Sequence, residues 1–473
     1  MPNMCNWNKN LPILILVILA CVIWYIPAPE GLDVKVWHLS IIFITTIAAI
    51  ILNPLPMGAI ALFSILCCIL TQTLSLEQSL SGFSHSIIWL VLLAFFIAQG
   101  FIKTGFGERI AYHIILLVGQ STLGLSYALV IVDFILAPFI PSVCARGGGI
   151  IFPIAQSLCT AYSNKTNYET SVSNGGFLMK VVFQSNVITS AMFITSMAAN
   201  PLAVKFAADA GIIISWSDWA IAAIVPGVIS LAVMPLILYY LHPPSIKYDP
   251  SAIQIARAKL QEIGDISLQE IIMLITFVIL IFLWMLGSKW GLSATTVALL
   301  GVCILLLCKV IKFEDTLADK GAWHTFIWYG TLVMISSFLS DFGLISWVSD
   351  KLRYNLLCFF SPMIGIIILS IIYFYIHYFF ASTTTHIAIL FPTFLALFIH
   401  AKMPGLLSAL LLSFLSILSS GLTHYGLSSA PIYFETGYMK IRTWWYLGLV
   451  LSLVYGIIWI FIGGMWWKTL GLW

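Results

Sequence analysis

Charge is what this chain has least of. Only 8% of its 473 residues are Asp, Glu, Lys or Arg, and 61% are hydrophobic. A soluble domain carries roughly 25% charged residues, so the composition excludes an ordinary soluble globular protein and points to a polytopic membrane protein. The formal net charge is +3 and no Lys/Arg run occurs, so nothing argues for a nucleic-acid partner. The 9 cysteines are scattered, with Cys67-Cys68 the one adjacent pair, and no CxxC or Cys/His spacing asks for a metal. HExxH, GxSxG and paired acids within apolar sequence are all missing, which argues against an intramembrane enzyme. No cofactor is expected.

What is present is apolar sequence in windows of membrane-spanning length, at residues 11–26, 37–52, 57–74 and 86–102. The first follows Lys9 and precedes Pro27-Ala28-Pro29, a poor cleavage site, so it reads as a retained helix. Residues 103–113 are amphipathic and suit the interface. The apolar stretch 123–159 is cut by Pro138, Pro141 and Gly147-Gly148-Gly149. A straight helix does not contain such a cut. Two half-length helices meeting at 142–149, as a re-entrant hairpin, do. Residues 177–208 read as a helix broken near Asn200-Pro201, and residues 212–241 close the half.

The polar linker 242–268 follows, and the order then repeats. Spans are expected at 271–286, 293–311 and 323–339, and an interfacial segment at 341–354. A hairpin follows at 362–400 with its tip at 382–386, then a helix from 405 to 431 broken at Ala430-Pro431, and a last span at 444–463. The expected organisation is a first repeat, 1–241, a cytoplasmic linker, 242–268, and a second repeat, 269–473. Most Lys and Arg fall inside when the N-terminus is cytoplasmic. With the first helix set aside, each half has an odd number of full spans, so the halves are inverted relative to one another.

Two short stretches look like copies. Pro141-Ser142-Val143-Cys144-Ala145-Arg146 and Ala381-Ser382-Thr383-Thr384-Thr385-His386 each place a cation-capable side chain four residues after a serine, then run on to Phe-Pro. An arginine at membrane depth costs at least ~2.5–3.5 kcal/mol and needs an anionic partner. Either Arg146 pairs with Asp133, or it balances a carboxylate ligand, or it does both in turn. His386 holds the same place in the second copy. The returning arm of each hairpin starts at its tip, so free N–H groups and a positive dipole end point there. Gly147–Gly149 would let a ligand or a helix approach closely. Freed carbonyls at broken helices bind ions or ligand oxygens. The candidate substrate site is therefore Ser142, Val143, Cys144 and Arg146 at one tip, Ser382, Thr383, Thr384 and His386 at the other, and Asn200-Pro201 and Ala430-Pro431 at the breaks.

Three stretches carry a resemblance that extends over essentially the whole chain. They are Gln184-Ser185-Asn186-Val187-Ile188-Thr189-Ser190 through Asn200-Pro201, His377-Tyr378-Phe379-Phe380-Ala381-Ser382, and Leu422-Thr423-His424-Tyr425-Gly426 through Ala430-Pro431. The chain resembles the divalent anion/sodium symporter family, in its exchanger branch for 2-oxoglutarate, malate, succinate, tartrate and citrate. The resemblance implies an all-α inverted-repeat elevator transporter with about eleven transmembrane helices and two re-entrant hairpins. It implies a homodimer in the lipid bilayer, each protomer with a scaffold part and a moving transport part. Sodium-coupled members carry Ser-Asn-Thr at both tips. Here the tips read Ser142-Val143-Cys144 and Ser382-Thr383-Thr384, with Arg146 and His386 resembling built-in substitutes for sodium. The expectation is sodium-independent exchange of C4–C5 dicarboxylates in a bacterial inner membrane, or less readily a plastid inner envelope. The alternative is a sodium-coupled dicarboxylate or citrate symporter. Discontinuous helices in both halves suit a channel poorly.

Overall fold

The computed structural model of the chain describes residues 7–52, 54–163, 168–248, 250–344, 346–348, 351 and 362–473. Among the described residues the fold is helical, and the one bridge between extended segments joins Ser121 to Tyr248. Among the described residues six helices are long and apolar enough to cross a bilayer: Val34–Leu52, Ser86–Thr104, Trp216–Leu241, Leu268–Trp290, Thr383–His400 and Ile441–Thr469. Met57–Leu70, Thr122–Leu136, Ala294–Leu307 and Gly405–Gly421 are apolar but shorter. The chain is an all-α polytopic membrane protein. Serines set several helix starts. Ser121 accepts the Gly124 N–H at 3.0 Å, and Ser215 and Ser267 form reciprocal capping boxes with Asp218 and Glu270.

The first hairpin descends as Thr122–Leu136, 15 residues and about 22 Å long, too short to span. The chain turns over residues 137–143 and returns through a π-helical stretch, Cys144–Ile151, that runs on into Phe152–Ser163. Gly147–Gly149 therefore lie in the returning arm, and the turn precedes them. The second hairpin descends as Pro362–Tyr375, adds the 3₁₀ turn Ile376–Phe379, and passes through Phe380-Ala381-Ser382 into Thr383–His400.

Both broken helices part earlier than their prolines suggest. Tyr168–Met192 ends, the chain crosses residues 193–198, and helix resumes at Ala199–Asp209. In the second half Gly405–Leu418 and the turn Ser419–Gly421 end before an irregular stretch, and Ala430–Phe434 follows. Asn200-Pro201 and Ala430-Pro431 are thus the first turns of the resumed helices. A proline there has no N–H to waste, because first-turn N–H groups lack helical partners anyway.

The helix expected at residues 103–113 starts at Phe106 and ends at Val118, after Gly105 at φ 67°. It packs on Ser251–Ile263, a helix within the linker. Arg109 fastens the two. Its Nε and one terminal nitrogen donate to the Glu270 carboxylate at 2.5 and 3.2 Å, and its terminal nitrogens also reach the Gly264 and Asp265 carbonyls. Gly343, at φ 85°, stands at the corresponding place after Lys320–Asp341 in the second half. Of the interfacial segment expected at 341–354, residues 341–344, 346–348 and 351 are described, and 344, 346–348 and 351 are helical; the others lie outside the described residues. Away from the hairpins, Val34–Leu52 and Met57–Leu70 close a small core of their own with Lys320–Asp341, around Leu39, Cys68 and Ile335.

Candidate functional site

The two hairpin tips meet at one cavity of about 230 Å³. Pro141-Ser142-Val143 supply one wall and Ala381 through Thr385 another. Met197-Ala198-Ala199 and Ser428, from the two helix breaks, reach it as well. The remaining wall comes from Ile50, Met57, Phe95, Thr325, Trp328 and Leu332. Among the described residues, no lining side chain carries a charge.

The tips are built alike. Ser142 Oγ accepts the Ala145 N–H at 3.1 Å, and Ser382 Oγ accepts the Thr385 N–H at 3.4 Å. The Arg146 and His386 N–H groups donate to the Ser142 and Ser382 carbonyls at 2.9 and 3.1 Å. Each serine thus caps a helix that starts at the cavity wall. A third helix start, at Ala199, converges on the same space. Helix N-termini carry about half a positive charge each and attract anions. Hydroxyls of Ser142, Ser382, Thr384 and Ser428 line the space between them.

Arg146 does not line this cavity. It is fully buried, as is Asp133, and Nε donates to Asp133 Oδ1 at 2.8 Å. One terminal nitrogen donates to the Ile140 and Ser196 carbonyls, both at 2.7 Å. The other reaches Ser190 Oγ at 2.7 Å and Thr189 Oγ1 at 3.3 Å. All five guanidinium N–H donors are used. Asp133 is equally occupied, with Ser185 and Thr189 hydroxyls on Oδ2 at 3.0 and 2.8 Å. Of the readings open in sequence, the partner in the structure is Asp133. The side chain nails the first tip, through Ile140, to the first helix break, through Ser196.

His386 does the equivalent in the second half, in a different chemistry. Its Nε2 donates to the Tyr373 carbonyl at 3.0 Å, and Tyr373, like Asp133, stands thirteen residues before its partner. His386 Nδ1 is buried without a partner, and the ring lies edge-on to His377 with centroids 5.0 Å apart. His377 Nε2 and Thr383 Oγ1 both donate to the Gly426 carbonyl, tying the second hairpin to the second break.

Asn200 is buried and faces inward. Its amide donates to the Ser190 and Phe193 carbonyls at 2.8 and 2.7 Å, closing the frayed end of Tyr168–Met192. Pro201, Ala430, Pro431 and Cys144 also stand back from the cavity wall. The lining residues Met197, Ala198, Ala199 and Ser428 went unmarked in sequence because the break was placed at the proline. First-turn tolerance of proline is the signal that would have moved it upstream. Lys180, the other cation at membrane depth, is buried away from the tips, with one bond to the Trp444 carbonyl at 3.2 Å and its Nζ 4.1 Å from the Trp444 ring centroid.

Two of the three glycines serve packing. A Cβ on Gly147 would meet Tyr433 Oη at 2.7 Å and Asn186 Oδ1 at 3.1 Å, and one on Gly148 would meet Ile432. Gly147→Ala is expected to cost about 1–3 kcal/mol by overpacking and to slow transport severely. Adding Tyr433→Phe removes the nearest of these atoms, a hydroxyl that has no hydrogen-bond partner among the described residues. Thermal unfolding and uptake should both recover in the double variant, and a double variant no better than Gly147→Ala would contradict this packing.

Comparison with known proteins follows from this geometry. A family model described as the sodium:sulfate symporter transmembrane region matches residues 7–473. The putative malate transporter YflS of Bacillus subtilis is 48% identical over 466 residues, covering 98% of this chain and 97% of that protein. The chloroplastic dicarboxylate transporter 1 of Spinacia oleracea is 44% identical over 466 residues, covering 98% of this chain and 82% of that protein. The solved structure of MtrF from Neisseria gonorrhoeae, at 14% identity, superposes with a TM-score of 0.56 over 98% of this chain and 96% of that one, and so shares its fold.

Proposed function

The chain belongs to the sodium:sulfate symporter family, and from that premise we propose that it carries C4–C5 dicarboxylates across a bacterial plasma membrane, exchanging one for another without sodium. One observation carries the reading. Three helix starts and a set of hydroxyls converge on a cavity that has no acidic side chain among the described residues. Such a site attracts carboxylates and offers a cationic ligand no countercharge. The names of the malate and dicarboxylate transporters among its relatives support the substrate class.

Independence from sodium has its own support. Carbonyls freed at helix breaks are the usual cation ligands in such folds. Here the Ser196 and Ile140 carbonyls are taken by Arg146, and the Gly426 carbonyl by His377 and Thr383. Built-in donors occupy the positions a sodium ion would need. We read residues 1–241 and 269–473 as inverted repeats, on the matched tips, the matched Gly105 and Gly343, and the matched thirteen-residue ties. The hairpins and broken helices then form one unit that slides against the remaining helices as an elevator, in a homodimer.

Counterflow in proteoliposomes tests the substrate class. Vesicles preloaded with unlabelled malate should accumulate labelled malate, and external succinate or 2-oxoglutarate should compete. Sulfate and monocarboxylates should not. Competition by sulfate alone would overturn the dicarboxylate reading.

A further inference from the structure

The cavity wall opposite the tips belongs to one face of Lys320–Asp341, where Thr325, Trp328 and Leu332 follow at helical spacing. Thr325 is 9% exposed and Trp328 8%, and both line the cavity. Neither side chain hydrogen-bonds to another described residue. Elsewhere on this helix Tyr329 Oη and Ser337 Oγ are buried without a partner among the described residues and stand away from the cavity. Thr331 and Ser336 spend their hydroxyls on carbonyls of their own helix, and the Trp323 indole donates to the Thr316 carbonyl at 2.9 Å. The Thr325 hydroxyl and the Trp328 indole N–H have no partner among the described residues and are not sealed from the cavity, so both are free to donate to a molecule held there.

Resting on the dicarboxylate reading above, we propose that Thr325 and Trp328 are the fixed half of the substrate site. The hairpin tips hold one carboxylate, and the Thr325 hydroxyl and Trp328 indole N–H donate to the other. A dicarboxylate would then be gripped from both sides of the sliding interface, and the distance between the grips selects chain length. The level of this contact gives it a direction. Lys309, Lys312 and Lys320 mark the preceding loop as cytoplasmic. Thr325 and Trp328 sit in the first turns after it, and Met57 opens its own helix beside them. When the tips slide away from this level, the two donors are left behind. They therefore serve binding from the cytoplasmic face only.

Thr325→Val removes one donor with little change in shape, and Trp328→Phe removes the other together with part of the ring. With the protein reconstituted in one orientation, each should raise the cytoplasmic-face KM for succinate and 2-oxoglutarate roughly tenfold or more, the usual effect of losing a hydrogen bond to a charged group. The external-face KM should stay as in the wild type, and the preference between the two acids should narrow. An unchanged KM at both faces would overturn this assignment, as would an equal rise at both, which marks general damage. Should Trp328→Phe fail to insert, Thr325→Val alone decides between the same outcomes. Wild-type protein that carries no dicarboxylate would instead overturn the reading beneath it, and this assignment with it.

Discussion

Asp133→Ala is expected to destabilise the protein by about 3–5 kcal/mol and to abolish transport, although Asp133 touches no part of the cavity. Both members of the Asp133–Arg146 pair are fully buried. Removing one partner of such a pair leaves an uncompensated charge with no water to solvate it, and that penalty is of this size. The loss spreads because Arg146 also holds the Ile140 and Ser196 carbonyls, one at the tip and one at the helix break. Arg146→Ala should abolish transport too, and Arg146→Lys should do little better. An ammonium cannot copy a planar fork that serves five partners. The double variant Asp133→Ala with Arg146→Ala separates charge from architecture. It should regain part of the thermal stability, because no lone charge remains, but no transport, because the tip and break lose their common donor. Unfolding temperatures in detergent, measured beside uptake, would read both. A stable, active Asp133→Ala protein would contradict the role given to the pair.

Much of this architecture is legible in the apolar windows and in the paired tip sequences. The spans, the two hairpins and the meeting of Ser142-Val143 with Ser382–Thr384 all follow from where proline, glycine and polar residues interrupt long apolar runs. What escapes is local. Asn200-Pro201 and Ala430-Pro431 mark the resumption of helix, not its loss, since proline suits a first turn. Arg146 carries the charge that draws attention, yet its ligands are scattered from Asp133 to Ser196, and a one-dimensional reading cannot count them. Thr325 and Trp328 sit in an unbroken apolar helix. Only folding sets them opposite the tips, so no sequence pattern distinguishes them from packing residues.

The position of Arg146 bears on the proposed exchange. Its charge is cancelled at 2.8 Å by Asp133, so it is not the charge that hinders the return of an unloaded carrier. In the proposed exchange, the converging helix starts and the hydroxyl groups of the cavity hinder that return. Sliding them past an apolar wall with nothing bound would strand donors away from water, at a cost for each. A bound dicarboxylate satisfies them in both directions. The membrane potential sets the second constraint. Each charge moved through it involves ~2.3 kcal/mol per 100 mV, so bringing one dianion into a negative interior costs about twice that. A symporter offsets the cost with cations. An exchanger cancels it by moving a second dianion the other way, and needs no ion gradient.

Uptake of labelled dicarboxylate into proteoliposomes, with and without internal dicarboxylate, tests that claim most directly. Sodium-independent exchange predicts rapid uptake only into preloaded vesicles, at the same rate when potassium replaces sodium on both sides. Robust uptake into vesicles with no internal dicarboxylate, driven by an inward sodium gradient and lost in potassium, would contradict it and identify a symporter.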